Sequence, residues 1–410
     1  MKCDTAVSAL SQPAAIGYCT NVHAGPDLLA TRANLERFAL AVKEQISDQT
    51  PMGIGLWLSA EAADDLREQD LIEPFAQWLR EVGLVPFTLN GFPYGDFHQE
   101  VVKYDVYQPA WNDPLRRDYT QVLIEILDGL LPPGMEGSIS TLPLQWGGRF
   151  AASQERDEAA HHLRQIAQTL EELEQRQDRL IYVCLEPEPG CLLQSRADVV
   201  RFFEEHLQVP GEQDRIRRYI RVCHDVCHSA VMFESQHETL AHYAQAGILV
   251  GKIQVSSAVV LRLDEIPRTE RATAFEQLRQ FAGDRYLHQT NVRLPGQTPV
   301  FYEDLPLALN SVKNPEDAEG EWRIHFHVPI YLERFGALQT SQADNLECLQ
   351  AAHQLGKLPH LEVETYAWDL LPAELKRAVL SEGIVDELRW LHQQLDLLVP
   401  QITIDVTQNP

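Results

Sequence analysis

Short apolar segments rich in β-branched residues alternate along this chain with longer segments whose apolar residues recur every three or four positions. The short segments have the length of buried strands, and the longer ones have the periodicity of amphipathic helices. The predicted strands are residues 15–23, 52–58, 84–90, 137–142, 180–186, a strand beginning at 221, 249–255 and 361–366. The predicted helices are residues 27–46, 59–81, 114–131, 153–177, one from about 196, 238–246, 270–281, 344–355 and 374–397.

This alternation of strands and helices predicts a parallel sheet whose crossover connections are the helices. About eight such units favour a closed (β/α)8 TIM barrel over an open doubly wound sheet. No G-x-G-x-x-G turn follows the first strand, which weakens a dinucleotide-binding interpretation. We therefore predict one TIM-barrel domain over residues 1–410, with the barrel at about 15–372 and a C-terminal helix and tail at 373–410.

Two segments interrupt the alternation. Residues 91–113 are polar and aromatic, and residues 284–322 are rich in Pro, Asn and Gln. We predict that the first is a long loop at the mouth of the barrel and that the second is an insertion. Loops of this length inside a compact domain are uncommon and usually carry function. The segment 322–329 that follows is predicted to be a further strand or an extended segment at the mouth.

Charge and cysteine content narrow the class of protein. The net charge is −26, which opposes binding to nucleic acid or to anionic lipid because both need a basic surface. The sequence has no apolar run of about 18 residues, so no membrane insertion is expected. The first residues lack the features of a secretory signal, and the seven cysteines are an odd, scattered set. These features together predict a cytoplasmic protein.

In a TIM barrel, catalytic groups lie at the C-terminal ends of the strands. Polar side chains at those positions, or on the extended segment that follows the insertion, are Glu186, Asp225, His228, Gln254, His325, His327 and Glu364. A charged residue at the end of an apolar strand is costly to bury without a partner. Carboxylates and imidazoles from separate strands can together bind a divalent cation through mixed oxygen and nitrogen ligands. The sequence thus predicts a metal site at the barrel mouth.

Other residues in these segments have two interpretations each. Cys223 and Cys227 can form a zinc site with a neighbouring histidine, or they can be small buried apolar residues beside Asp225. No second cysteine pair has the spacing of metal ligands, which favours packing. His23, at the end of the first predicted strand, can be a ligand or a hydrogen-bonded structural histidine.

The strand-end residues resemble those of the xylose isomerase-like TIM barrel superfamily, which holds sugar isomerases, sugar-phosphate epimerases and an apurinic endonuclease type related to endonuclease IV. A closer resemblance, to the EboE family of metabolite traffic proteins, covers almost the whole chain. The segments that carry it are 17–23 (GYCTNVH), 88–95 (TLNGFPYG) with Phe97 and His98, 140–143 (STLP), 325–329 (HFHVP) and 361–366 (LEVETY).

The resemblance implies roles for individual residues. Glu186 and Glu364 match the two superfamily glutamates that bind the metal and, in epimerases, exchange the substrate proton. Asp225 matches the aspartate ligand, and His228 matches the histidine that follows it in endonuclease-type sites. Gln254 stands where the superfamily normally has a histidine ligand, and His325 or His327 can compensate for that change. The implied cofactor is a divalent ion, Zn²⁺, Mn²⁺ or Mg²⁺.

Three functions remain open on these grounds. The first is a metal-dependent isomerase or epimerase for a small hydroxy-carbonyl metabolite, in which Glu186 and Glu364 are catalytic. The second is a non-catalytic barrel that binds a secondary-metabolite precursor and transfers it to partner proteins, and the third is an abasic-site phosphodiesterase, which the acidic charge opposes. The predicted substrate-binding residues are His23, His98, Lys252 and Trp111.

Overall fold

The computed structural model describes residues 15–47, 49–147, 153–356 and 358–398. Seven strands come first, at β1 (Ile16–Tyr18), β2 (Met52–Trp57), β3 (Leu84–Asn90), β4 (Gly137–Thr141), β5 (Ile181–Leu185), β6 (Ile220–Asp225) and β7 (Val250–Val255). They lie close to the predicted strands. The first is shorter than predicted because Thr20–Val22 turns into a 3-10 helix directly after it.

The excursion after β7 is larger than predicted and forms a second sheet. Its strands are β8 (Val259–Arg262), β9 (Thr290–Arg293), β10 (Val300–Tyr302), β11 (Glu321–Ile324), β12 (Arg334–Phe335) and β13 (Leu338–Thr340). They pair antiparallel in the order β10-β9-β11-β8-β13-β12. The insertion predicted at 284–322 is thus only the middle of this sheet. The strand predicted at 322–329 ends at Ile324, where β11 passes into a loop.

The chain then returns to the barrel through β14 (His360–Val363), which pairs in parallel with both β1 and β7. The resulting eight-stranded parallel sheet has the order β1-β14-β7-β6-β5-β4-β3-β2. Its two outer strands meet at a single parallel bridge between Cys19 and Gly55. The sheet is therefore nearly closed into the predicted (β/α)8 barrel.

Helices pack their apolar faces against the barrel and against the second sheet. They are α1 (Leu28–Asn34), α2 (Leu40–Ile46), α3 (Ala60–Glu68), α4 (Ile72–Val82), α5 (Pro114–Leu130), α6 (Ser153–Gln177), α7 (Arg196–Phe202), α8 (Gln213–Tyr219), α9 (Val226–Val231), α10 (Gln236–Gln245), α11 (Arg268–Arg279), α12 (Leu305–Asn310), α13 (Gln342–Gln354) and α14 (Leu380–Leu398). The last helix begins later than the predicted residue 374, and the predicted tail beyond residue 398 lies outside the described residues. None of the described helices is both long enough and apolar enough to span a bilayer.

The barrel interior holds a buried ion pair as well as apolar side chains. The Lys252 ammonium lies 2.6 Å from a Glu362 carboxylate oxygen, and both side chains are fully buried. A Cβ on Gly55 would lie 1.3 Å from the other Glu362 oxygen, so a glycine is needed where the carboxylate approaches β2. This pair forms the floor beneath the C-terminal ends of the strands.

Glu387 of α14 connects the loop that follows β14 to the outer helical layer through hydrogen bonds. Its carboxylate accepts hydrogen bonds from the Thr365 hydroxyl at 2.6 Å and from the Ile330 backbone N–H at 3.2 Å. Burial raises the pKa of Glu387 from 4.5 to about 7, against the opposing effect of these hydrogen bonds. The folded protein therefore favours the protonated acid more than the unfolded chain does.

We expect Glu387 to make the protein less stable as the pH rises from about 4.5 to about 7. A raised carboxyl pKa contributes stability that is complete below the unfolded pKa and is lost as the pH passes the folded pKa, here at most about 3 kcal/mol. Measured unfolding free energies between pH 5 and pH 8 should fall less steeply for Glu387→Gln than for the wild type. Equal slopes for the two proteins would contradict this assignment.

Candidate metal centre

Three carboxylates meet at the C-terminal ends of the barrel strands. Asp225 is the last residue of β6, Glu186 directly follows β5, and Glu364 directly follows β14. One carboxylate oxygen of each lies within 4.8 Å of the others, and all three side chains are buried. The alternating side-chain direction of the strands and their parallel register bring together residues that are far apart in sequence.

The three carboxylates differ in their preferred protonation. Burial, followed by the charges of Glu364 and Asp225, raises the pKa of Glu186 well above its usual value. Burial and the charge of Asp225 raise the pKa of Glu364 to about 8. Burial also acts to raise the pKa of Asp225, but His228 and His327 outweigh it and hold that pKa below its usual value. The site therefore favours either protons on the two glutamates or a bound cation.

Neighbouring side chains occupy one oxygen of two of these carboxylates. Glu364 Oε1 accepts hydrogen bonds from the Asn21 amide at 2.7 Å and the Asn90 amide at 3.1 Å. Asp225 Oδ1 accepts from the His228 backbone N–H and from the Ser256 hydroxyl, both at 2.8 Å. Each carboxylate is held in one orientation, which leaves Glu364 Oε2 and Asp225 Oδ2 for a ligand.

Three histidines lie beside the carboxylates. His228 is in α9, while His325 and His327 come from the loop after β11. The ring centroid of His325 is 4.5 Å from that of His228 and 5.2 Å from that of His327. Burial lowers the pKa of His325 well below its usual value and lowers the pKa of His327 to about 4, so both rings are neutral at neutral pH.

Several buried polar atoms at this position have no hydrogen-bond partner among the described residues. They are Glu186 Oε2, Asp225 Oδ2, His327 Nε2 and both amide atoms of Gln254. A buried polar atom without a partner costs free energy, and native proteins rarely contain several of them together. Carboxylate oxygens, an amide oxygen and an imidazole nitrogen are all atoms that bind divalent cations as ligands. The residues present therefore fit a divalent metal ion.

Gln254 stands at the position where the sequence resemblance leads us to expect a histidine ligand. It is fully buried and lies in register between Asp225 of β6 and Glu362 of β14. Its unpartnered amide oxygen is available as a ligand beside Asp225. An amide oxygen is a harder donor than an imidazole nitrogen, so this position favours a harder cation than a histidine would.

A cavity of about 530 Å³, counting the space at its mouth, opens onto Glu186, His228, His325, His327 and Glu364. About half of its lining residues are aromatic or apolar, namely Phe92, Pro93, Phe97, Val106, Tyr107, Tyr286, Leu287 and Tyr366. A polar floor beneath an apolar wall is the usual form of a small-molecule site. The loop 91–113 contributes to this wall as predicted, and the loop after β11 contributes His325 and His327.

The structure places the four predicted substrate contacts outside the lining of this cavity. Trp111 is fully buried and donates its indole N–H to Thr141 at 3.1 Å. Lys252 lies below the site in its ion pair with Glu362. His23 stacks on Phe38 at 4.6 Å. Strand-end position alone does not separate side chains directed at the mouth from those packed under it or behind it.

His98 is the fourth of these residues and contacts Asn21, which lines the cavity. Its Nε2 contacts the Asn21 backbone oxygen at 2.7 Å, and Asn21 in turn holds Glu364. His98 is therefore placed to position Asn21. Burial lowers the pKa of His98, against the opposing effect of its hydrogen bond to the Asn21 backbone.

Sequence reasoning missed several residues of the site. Asn90 ends β3, so the strand-end rule could have found it. Glu188 follows Glu186 by two residues and lies within 4.8 Å of His228 and His325 through its carboxylate. Gln289 donates to that carboxylate at 2.8 Å, but it enters from the second sheet and no local pattern indicates it. Cys227, assigned to packing, lies within the same distance of His325 and His327.

Comparison with known proteins identifies the fold. No protein-family profile matches this sequence, and no curated protein matches it. A xylose isomerase-like TIM barrel protein from Mycobacterium smegmatis, solved in complex with magnesium, is 11% identical with a TM-score of 0.52, over 94% of this chain and 98% of that chain. A D-tagatose 3-epimerase-like protein is 11% identical with a TM-score of 0.50, over 93% and 97% of the two chains. At this identity the likeness shows a xylose isomerase-like TIM barrel, and the resemblance to EboE stays a prediction.

Proposed function

We propose that this protein is a metal-dependent isomerase or epimerase for a small hydroxy-carbonyl metabolite. The observation that carries the proposal is the group of three buried carboxylates, of which Glu186 and Asp225 each have an unpartnered oxygen and Glu186 and Glu364 line the cavity. Glu186, Asp225, Gln254 and Glu364 would hold the ion. The magnesium named for the similar Mycobacterium smegmatis barrel supports a divalent cation here as well.

When bound, the ion supplies Lewis acidity that polarises a carbonyl and its neighbouring hydroxyl. Glu186 and Glu364 lie on separate strands, β5 and β14, so their carboxylates reach a ligand from different directions. Glu186 Oε2 has no hydrogen-bond partner among the described residues and can take a proton from the carbon beside the carbonyl. Glu364 Oε2 can return a proton, because Asn21 and Asn90 hold only Oε1. The aromatic side chains of the wall lower the polarity around these two carboxylates.

The high pKa of both glutamates suits this role. A general acid or base works best when its pKa is near the working pH, and burial raises the pKa of Glu364 to about 8. The charge of Lys252 acts in the opposite direction by favouring the charged form of Glu364, as a bound cation would. The balance allows each glutamate to change protonation during turnover.

The resemblance to EboE supports a substrate that is a precursor of a secondary metabolite. The same cavity can instead bind that precursor and transfer it to a partner protein without chemistry. The phosphodiesterase alternative has less support, since the net charge of −26 repels a polyanionic duplex.

Solvent exchange at carbon tests the proposal. Protein loaded with Mn²⁺, Mg²⁺ or Zn²⁺ is incubated in D₂O with a panel of ketoses, aldoses and cyclic hydroxy-ketones, and deuterium incorporation is followed by NMR. We expect exchange beside the carbonyl of at least one compound, with a loss of about 1,000-fold or more in Glu186→Gln and in Glu364→Gln.

Variant Glu174→Gln is the matched control, because this glutamate lies on the outer helix α6 and pairs with Arg218. It should retain full exchange. Binding of panel compounds without exchange would favour the transfer function, whereas cleavage of an abasic duplex would overturn the ranking of all three functions.

A further inference from the structure

A second cavity lies at the opposite end of the barrel from the carboxylates, and we call it the basal cavity. Its volume is about 1700 Å³, counting the space at its mouth. It is lined by residues at or directly before the N-terminal ends of β4, β5, β6, β7 and β14, and by residues of α8, α10 and α13. Along β7, Gly251 lines this cavity and Gln254 lies at the metal centre, with the buried Lys252 between them. The two sites are therefore separate.

The charged residues that line the basal cavity are mainly basic, although the protein as a whole has a net charge of −26. Three of them are arginines, Arg217, Arg218 and Arg221, and Glu136 is the one acidic residue of the described lining. Arg218 pairs with Glu174 of α6, so its charge is already compensated. The other two arginines give the cavity an excess of positive charge.

Arg221 is held in one orientation and still has hydrogen-bond donors to offer. Its guanidinium lies 3.6 Å from the centroid of the Tyr182 ring, and its Nε donates to the Arg218 backbone oxygen at 3.1 Å. Gly251 leaves room for the ring, since a Cβ there would lie 2.6 Å from Tyr182. Among the described residues, no carboxylate pairs with Arg221 and no acceptor binds its two terminal nitrogens. A planar guanidinium held in this way can bind a carboxylate or a phosphate through two parallel hydrogen bonds.

Arg217 supplies a second positive charge to the same cavity. Its Nε donates to the Gly247 backbone oxygen at 3.1 Å. Within the part of the chain that the structure describes, its ion pair is with Asp214 at 4.0 Å, and the Asp214 side chain is fully exposed. A long ion pair at the surface contributes little. Arg217 is therefore also available to an anionic ligand.

Most of the uncharged residues of the lining are apolar, and some of them face solvent. Leu240 and Ile248 are buried, whereas Leu249 is 44% exposed and Leu355 is 51% exposed. Large apolar side chains that remain exposed beside a cavity are typical of a binding surface. Together with the arginines, they favour a ligand that has an apolar part as well as a negative charge.

We propose that the basal cavity binds a small amphipathic anion, whose carboxylate or phosphate group contacts Arg221 and Arg217 and whose apolar chain packs on Leu249 and Leu355. The site does not depend on the proposed function, because none of its lining residues belongs to the metal centre or to the cavity at the barrel mouth. A neutral analogue of the same length makes only the apolar contacts. The affinity should therefore depend on the charge of the ligand and fall as the salt concentration rises.

Calorimetric titration of metal-free, full-length protein tests this proposal. The protein is titrated with decanoate, decyl phosphate and decanol, each below the concentration at which it forms micelles. Removing the metal prevents an anion from binding to an ion at the barrel mouth. We expect decanoate, decyl phosphate or both to bind at one molecule per chain, and the tighter of the two identifies the headgroup. Decanol should bind at least about 10-fold more weakly, and each anion should lose about 10-fold or more in affinity in Arg221→Gln and in Arg217→Gln.

Arg80→Gln is the matched control, because Arg80 lies exposed on α4 and pairs with Glu73. It should bind the anions as tightly as the wild type does. Circular dichroism confirms that each variant is folded, and Arg217→Gln decides the outcome if Arg221→Gln is not. Wild-type affinity in either folded arginine variant, equal affinity for decanol and decanoate, or no binding of either anion would overturn the proposal. Dimerisation in sedimentation experiments that Leu355→Asp abolishes, without anion binding, would instead assign the cavity to a second copy of the chain.

Discussion

Replacing Asp225 with Asn is expected to remove the divalent metal from the protein while leaving the barrel folded. Asp225 lies within 4.8 Å of Glu186 and Glu364 in one set of possible ligand atoms and of His228 and His327 in another, so both sets depend on its charge. Asparagine keeps an Oδ1 atom that can accept from the His228 N–H and the Ser256 hydroxyl, which preserves the N-cap of α9. What is lost is the negative charge at Oδ2.

The expected effect is at least about a 100-fold weaker affinity for Zn²⁺ and for Mn²⁺, since removing even an indirect partner of a ligand costs about 10- to 100-fold. Equilibrium dialysis against a competing chelator measures it. Asp128→Asn, which disrupts an ion pair with Arg179 away from the site, is the control and should bind metal normally. Wild-type affinity in folded Asp225→Asn would contradict the assignment of Asp225 as a ligand.

The barrel could be predicted because its signals are local. Each barrel strand is a short apolar segment between amphipathic segments, and the structure places β3 at the predicted residues 84–90 and α6 at 153–177. The second sheet could not be predicted in the same way. Its strands have only two to four residues each, and they pair across long separations, as β8 does with β11. No local periodicity contains that pairing.

The residues of the candidate site likewise divide into those that local sequence signals predict and those that depend on the second sheet. Glu186, Asp225 and Glu364 follow from strand position, because parallel strands of a barrel end at the same face. His325 and His327 were identified as candidates, yet their approach to His228 depends on the loop after β11 and on Gln289, which only the second sheet positions. Lys252 shows the limit of the strand-end argument. It lies two residues before Gln254 on β7, and its ammonium pairs with Glu362 inside the barrel instead of facing the mouth.

The second large effect is expected on the free energy of unfolding, when Lys252 is replaced. Lys252→Met leaves the Glu362 carboxylate fully buried without its cation, and breaking a buried ion pair by removing one partner typically costs about 3–5 kcal/mol. Burial alone would lower the pKa of Lys252, but Glu362 and the nearby thiols raise it, so the ammonium stays charged in the folded protein. Denaturant unfolding of metal-free protein should therefore show a free energy of unfolding lower by that amount.

The double variant Lys252→Met/Glu362→Leu separates the charge from the packing. Replacing both partners with apolar groups removes the uncompensated charge, so we expect it to recover most of the loss. Metal binding adds a second readout, because Lys252 favours the charged forms of Glu186 and Glu364 without touching the cavity. Its loss should leave folded Lys252→Met able to bind the ion, since the net negative field at the carboxylates increases.

If Lys252→Met is as stable as the wild type, the buried ion pair does not stabilise the barrel beneath the carboxylates. If it is destabilised and the double variant is no better, the cost arises from packing around residue 252 rather than from the charge left on Glu362.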